Sequence, residues 1–341
     1  MSTSVFLNGR EVKDGLPTYI IAEGGLTNWG DLDLAKKQVD AAMAAGCDAI
    51  KFQAQTTEAL VSKKVDLYWY KRLKYKELSH DELRELWEYC AIRNIQCFIT
   101  AHTDVDLDFL DKDLDVPFHK VGSGESINYE FLENVGSRKK PVLMSLGLHL
   151  NDNEVKESIK ALERGGANEI VLMHCNTVYP TPYEMNDLSM IGRLKKLTDY
   201  PVGYSDHTVG NHISIAAVAL GAVAIEKHLS FDNRDKRSYD CPGSNTPETL
   251  KDMVDQIRQV EAAMEDKDGI RITRLTEARK WAQQSVIAAT DIKKDTVVTK
   301  DMLTVKRPGV GLTADKIDQV IGKKAKHDIE EDSLVQVEDV T

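Results

Sequence analysis

The chain has 341 residues, with 44 Lys and Arg against 55 Asp and Glu for a formal net charge of −11, and 42% of it is hydrophobic. At roughly 150 residues per domain this allows two domains with a sizeable core, and the acidic balance without a polybasic run excludes the electrostatic footprint of a nucleic-acid binder. The longest nearly apolar stretch, Ile213 to Ile225, is 13 residues long, short of the roughly 20 that a membrane span needs. The start Met1-Ser2-Thr3-Ser4 does not read as a signal peptide. Five cysteines with no CxxC pair argue against a disulfide framework or a structural zinc site, so a reducing cytoplasm is the expected compartment.

Short apolar runs alternate with helical patterns from the start, and the runs end at Ala22, Phe52, Thr100, Gly122, Ser145, His174, Ser205 and His228. Between them the 3.6-residue period predicts helices over Leu32 to Ala45, Ser79 to Arg93 with Ser79 and Glu82 as a capping box, and Asn151 to Arg164 with Asn151 and Glu154 as its capping pair. A further helix, Pro247 to Met264, is opened by Thr246. Eight β/α alternations predict an α/β fold, a (β/α)8 TIM barrel. The rival, a doubly wound open sheet, wants a glycine-rich turn after the first strand, and Glu23-Gly24-Gly25-Leu26-Thr27 does not match GxGxxG. The charged stretch Glu265 to Arg279 then reads as a linker, so that residues 1–278 form the barrel domain with its linker and residues 284–341 a small second domain. That domain has a strand at Ser285 to Ala289, a turn at Pro308-Gly309-Val310-Gly311, and a short amphipathic helix from Ala314 to Ile321 ended by Gly322.

In such a barrel, chemistry gathers at the carboxyl ends of the strands, and side chains two apart share a face. Polar residues concentrate there: Glu23, then Lys51 and Gln53, then Lys120, Ser123 and Glu125, then Ser145, His174, Ser205 with His207, and Glu226 with His228. Any one of them alone reads as a solvated loop residue, but polar ends on most strands are poor packing for a barrel built only for stability. Lys51 and Lys120 with hydroxyls at Ser123, Ser145 and Ser205 suit an anionic substrate. His207 and His228, 21 residues apart on adjacent strand ends, suit a divalent ion whose remaining positions stay open to substrate oxygens. A pair of histidines that satisfies only local hydrogen bonds fits this spacing as well.

These residues fall within segments that resemble the sialic acid synthase family, the phosphoenolpyruvate-dependent enzymes that make nonulosonic acids. The segments are Ile21-Ala22-Glu23, Lys51-Phe52-Gln53, Lys120 to Glu125, His174-Cys175 with Tyr179-Pro180-Thr181-Pro182, Gly203 to Thr208, and Ile225 to His228. Ser285 to Ala289, Asp301-Met302-Leu303 and Lys306-Arg307-Pro308-Gly309 are similar to the antifreeze-like (SAF) domain that follows the barrel in this family.

The resemblance implies condensation of phosphoenolpyruvate with the aldehyde of an N-acylated hexosamine, such as N-acetylmannosamine, to give a nine-carbon 2-keto acid and phosphate. It implies a divalent metal, usually Mn2+ with Mg2+ or Co2+ as alternatives, on His207 and His228. Lys51, Gln53, Lys120, Ser123, Ser145 and Ser205 then hold phosphoenolpyruvate, with Thr177 and Tyr179 among the substrate contacts. Glu23 and Asp240 stand at the sugar, and Glu125 is the expected base for water addition. Arg307 is expected to reach the partner's site in a domain-swapped homodimer. Four departures bear on sugar recognition: Thr27-Asn28, Ala101-His102, Thr177 and Ser238-Tyr239. Another metal-assisted synthase acting on phosphoenolpyruvate and a sugar phosphate, or a non-catalytic carbohydrate-binding or ice-binding protein, stays open as an alternative.

Overall fold

Asn8-Gly9, both at positive φ, turn a short antiparallel hairpin, β1 (Val5–Leu7) and β2 (Arg10–Val12), at the start of the computed structural model, which describes residues 3–265 and 268–341. Eight strands follow: β3 (Tyr19–Glu23), β4 (Ala49–Ala54), β5 (Gln96–Ala101), β6 (His119–Val121), β7 (Val142–Ser145), β8 (Ile170–His174), β9 (Val202–Asp206) and β10 (Ala224–His228). Each pairs in parallel with the next, and β10 closes on β3 with His228 opposite Glu23. Parallel neighbours need a crossover each time, and helices supply it. This is the expected TIM barrel.

Residue parity divides the barrel's apolar atoms between two cores. Outward residues such as Ile20, Phe52, Ile99 and Leu172 pack on the apolar stripes of the helices, including Val39, Leu83, Leu132 and Leu162. Inward residues such as Ile21, Ala49, Phe98, Leu143 and Val171 form a separate cluster that also contains Val5, Leu7 and Val12 of the hairpin. The hairpin is held to residues that lie just before the strands: Arg10 to Asp48, Asn8 to Gln96, and the Phe6 amide to Glu169 at 3.0 Å. It therefore plugs the amino end of the barrel and leaves the carboxyl end as the place for a cavity.

Local signals set the helices much as expected. Ser79 and Glu82 form both halves of the capping box before His80–Ile92, and the Asn151 side chain accepts from the Asn153 and Glu154 amides ahead of Asp152–Gly165. A further helix, Leu67–Lys74, was not expected from the sequence. Asp66 caps it by accepting from the Trp69 amide, and it buries only Leu73 within its eight residues, a stretch of about two turns.

Residues Met1–Met264 form one compact unit and Glu265–Thr341 a second. In the second, β11 (Ser285–Ala288) pairs antiparallel with β12 (Leu303–Lys306) over a core that includes Val286, Ile292, Val298, Val320 and Val335. The charged stretch expected to be a linker carries a helix, Asp268–Ala282, that buries none of its side chains, which is why no apolar period marked it. The amphipathic helix expected over 314–321 is instead a 3₁₀ segment, Ala314–Gln319, too short to repay α-helix nucleation. Gly322, at φ 80°, follows it as expected of a terminating residue.

Candidate active site

Each inward row of the barrel begins with an apolar or small residue and is continued toward the carboxyl end by the residues that line one cavity. Ile21 leads to Glu23, Ala49 to Lys51 and Gln53, Phe98 to Thr100 and His102, and Leu143 to Ser145. Met173 leads to Cys175, Gly203 to Ser205 and His207, and Ala224 to Glu226 and His228. The period of two in a strand thus places the polar residues in one well of about 640 Å³ above the apolar plug.

A buried charge cluster occupies the deep part of the well. The Lys51 ammonium lies 2.7 Å from Glu23 Oε2 and 3.6 Å from Glu226 Oε1, and it donates to Thr100 Oγ1 at 3.2 Å. Gln53 Nε2 donates to Glu23 Oε1 at 2.7 Å, and the Ser205 hydroxyl to Glu226 at 3.1 Å. The two carboxylates diverge: burial raises Glu23 above the usual carboxylate range despite Lys51. Burial also works against the Glu226 anion, but Lys51, Lys120 and the two histidines outweigh it and bring its pKa down to about 2. Lys51 itself is raised, because Glu226 and Glu23 together outweigh its desolvation.

Lys120 is different. It is equally buried but meets only neutral acceptors, Ser145 Oγ at 2.6 Å and its neighbour's carbonyl, Val121 O, at 2.9 Å. Desolvation lowers its pKa, with the more distant Glu226 charge opposing. Ser123 Oγ nearby accepts from the Gly147 amide at 3.0 Å. A buried ammonium with hydroxyls beside it and no carboxylate against it is a cradle for an anion supplied from outside.

The two histidines face one another across the same well, with ring centroids 5.4 Å apart. His207 Nδ1 lies 2.6 Å from the Asn176 carbonyl, which fixes that nitrogen as the donor and leaves Nε2 as a lone pair, 3.4 Å from Ser205 Oγ. His228 Nδ1 is buried without a hydrogen-bond partner. Burial keeps both rings neutral, His207 lowered to about 4 and His228 lowered likewise. Neutral imidazoles, one held by a carbonyl behind it, are the state and support that a metal ligand needs, so the pair fits a divalent ion. Among the described residues no group of three or more His, Cys, Asp or Glu is arranged to hold a metal. A divalent ion bound here would be held by the two imidazoles.

The remaining expected residues divide. Glu125 lines the well, with Oε1 3.1 Å from His102 Nδ1 and a buried, unpartnered Oε2. Thr177 lines it with an unpartnered hydroxyl, and Tyr179 lies against His207 with ring centroids 4.2 Å apart. Asp240 stands near the mouth and accepts from Ser238 Oγ at 3.1 Å. Arg307 belongs to the second unit, where it is exposed. His174, expected at the same mouth as the rest, is not in the well. It shares outward parity with Ile170 and Leu172, sets Nε2 3.1 Å from the Asn186 carbonyl, and lines a separate cavity of about 260 Å³. Ala101 also faces outward into the helix-packed core, so the hydroxyl it lacks is not a missing contact in the well, whereas His102 is a cavity residue. Thr27 and Asn28 are buried and bond backbone carbonyls, Leu229 O at 2.6 Å and Gly25 O at 2.9 Å, which makes them supports of the loop after β3.

The sequence reading left several residues out of the site. Thr100, His102 and Cys175 follow from the same parity count that placed their neighbours, as does Glu226, which the sequence sets at this mouth without a role. Arg72 and Lys76 come from the unexpected helix Leu67–Lys74 and the turn after it, for which no signal stood out.

Comparison with known proteins identifies the family. Residues 38–269 match the NeuB family model, and residues 283–341 match the SAF domain. An uncharacterized protein of Methanocaldococcus jannaschii is 39% identical over 98% of both chains. The N,N'-diacetyllegionaminic acid synthase of Campylobacter jejuni is 34% identical, covering 94% of this chain and 99% of its own. The human N-acetylneuraminate-9-phosphate synthase is 33% identical, covering 97% of this chain and 95% of its own. With a closed barrel, a polar well at its carboxyl end and a second unit over the SAF match, the chain belongs to the NeuB family of nonulosonic acid synthases.

Proposed function

We propose that the protein joins phosphoenolpyruvate to the open-chain aldehyde of an N-acylated hexosamine, releasing phosphate and giving a nine-carbon 2-keto acid. The observation that carries this reading is the buried Lys120, which donates to Ser145 and makes no ion pair among the described residues, in the same well as Ser123 and two neutral histidines. Lys120 and the serine hydroxyls hold the phosphate, and Lys51, kept cationic by Glu23 and Glu226, anchors the carboxylate, with Gln53 fixing Glu23 beside it. Fixing both ends of phosphoenolpyruvate aims its methylene carbon toward the mouth, where the aldehyde must lie.

The new carbon–carbon bond turns the aldehyde oxygen into a hydroxyl, which must gain a proton. Glu23, a carboxylate 2.7 Å from the Lys51 ammonium, is suited to relay it. Attack leaves a cationic centre at the phosphate-bearing carbon; water adds there, Glu125 takes its proton, and phosphate departs. Asp240 and Tyr179 orient the acceptor, and Thr177 adds a hydroxyl contact. A divalent ion, Mn2+ in our reading, would be held by His207 and His228 and would polarise the acceptor's carbonyl oxygen.

Incubation with Mn2+, phosphoenolpyruvate and N-acetylmannosamine, its 6-phosphate, or a diacetamido hexose tests the reading. Phosphate release matched one for one by a product whose mass is that of the acceptor plus pyruvate is expected with one acceptor. Phosphate release without a nine-carbon product, or neither with any acceptor, removes it.

We also propose a homodimer in which Arg307 serves the neighbouring barrel, where its planar fork grips an acceptor oxygen. Mixing Arg307→Ala chains with His228→Ala chains then restores up to about half of a heterodimer's sites, since one site collects both defects and the other neither. Verified subunit exchange with no return of activity removes Arg307 from the partner's site.

A further inference from the structure

The well holds two groups of cations that make no direct ion pair among the described residues, at opposite ends. One is Lys120 at depth. The other is at the mouth, where half-buried Arg72 and buried Lys76 line the wall. Lys76 Nζ meets only neutral partners, the Ser238 hydroxyl at 2.9 Å and the face of Trp29 at 4.7 Å. Arg72 donates to Tyr68 Oη at 3.0 Å and to the Arg237 carbonyl at 2.5 Å, and lies 4.5 Å over the Tyr239 ring. Neither makes an ion pair among the described residues, in a chain with 55 acidic residues and a net charge of −11. Asp240 is bridged to Lys76 by the Ser238 hydroxyl.

Holding two cations near each other, one of them buried, costs free energy that neutral partners do not recover. Desolvation lowers the Lys76 pKa, the Asp240 charge beyond Ser238 opposes that, and Arg72 adds to the lowering. An anion between them relieves that cost. Phosphoenolpyruvate accounts for the deep cation and for Lys51, but its two anionic groups are then both engaged. A neutral hexosamine offers the mouth pair hydroxyl oxygens but no counter-charge.

We infer that Arg72 and Lys76 form a second anion subsite, which takes a phosphate monoester carried by the acceptor sugar at the end remote from its aldehyde. The guanidinium fork and the ammonium match the several oxygens of a phosphate, and Tyr239 and Trp69 beside them offer ring faces to the sugar chain. This inference rests on the synthase reading for the identity of the acceptor, and not for the existence of the subsite.

The test compares N-acetylmannosamine with N-acetylmannosamine 6-phosphate in the full-length protein with Mn2+ and saturating phosphoenolpyruvate. The wild type is expected to favour the phosphorylated sugar in kcat/KM by at least about tenfold. Arg72→Gln and Lys76→Met are each expected to cut that ratio by about ten- to a hundredfold, mostly through KM. If Lys76 only supports Asp240, both sugars lose equally and the ratio stays put, which overturns its part. A wild type that prefers the unphosphorylated sugar overturns the subsite while the synthase stands. If no acceptor is turned over, the synthase reading fails, and calorimetric titration of the two sugars still decides. Binding of the 6-phosphate that weakens at least tenfold in Arg72→Gln upholds the subsite, and equal binding of both sugars by the wild type and the variant rejects it.

Discussion

Alanine at His207 or at His228 is expected to lower turnover by about a thousandfold or more, and wild-type protein stripped of divalent metal is expected to fall as far. The imidazoles lie on neighbouring strand ends with their rings 5.4 Å apart, and burial keeps both neutral. Loss of a Lewis acid at a developing alkoxide is worth several kcal/mol, and each 1.4 kcal/mol is about a factor of ten in rate. Steady-state rates with Mn2+ restored separate the cases. The stripped wild type recovers, and the alanine variants do not, although their circular dichroism and melting should remain those of a folded barrel. Metal content measured by mass spectrometry gives a readout apart from activity, near one ion per wild-type chain and well below it in either variant. Full activity in chelator, with metal content shown to be nil, would remove the assignment.

A second large effect is expected at the deep end. Lys120→Ala should raise the KM for phosphoenolpyruvate by roughly ten- to a hundredfold while leaving the acceptor KM nearly unchanged. The reason is the asymmetry between the two buried lysines. Lys51 already has Glu23 and Glu226 as counter-ions, whereas Lys120 has only Ser145 and a carbonyl. A charge-assisted hydrogen bond contributes about 1.5–3 kcal/mol, so the ligand that completes it loses that much on truncation. Initial rates over a grid of both substrate concentrations read the two constants separately. A change confined to the acceptor would mean that the phosphate and sugar ends of the well have been exchanged in our reading.

The barrel was legible because its physics is local and repetitive. Eight apolar runs, helices with side-chain caps such as Ser79 and Asn151, and polar residues at the run ends all lie within a few residues of the features they predict. Most of the site was legible for the same reason, since Lys51, Lys120, Ser205, His207 and His228 are reached by counting in twos from the core. The misplacement of His174 shows where that count was not applied. It lies at a strand end, but on the outward face, where its ring is 5.6 Å from that of Tyr204 rather than near substrate. Glu226 was countable and is central, yet it matches no role by resemblance. The helix Leu67–Lys74 was less accessible. It is eight residues long and buries one side chain, so its period spans about two turns, and the pairing of Arg72 with the loop at Arg237 spans 165 residues. The hairpin β1–β2 did carry a signal, Asn8-Gly9 between two short alternating runs, although strands of three residues are easily passed over.

The hairpin's plug has a kinetic consequence. With Val5, Leu7 and Val12 sealing the amino end, the well is a blind tube in which everything arrives and leaves by one opening. Whatever binds at Lys120 must pass Arg72 and Asp240 first, and whatever rests at the mouth stands in its way. The proposed reaction must therefore run in sequence, with phosphoenolpyruvate loaded before the sugar. A sugar that arrives first seals an empty floor beneath it and has to leave again, so excess acceptor should slow the enzyme in competition with phosphoenolpyruvate. On the way out the order reverses in space: phosphate, formed at the bottom, waits behind the nine-carbon product.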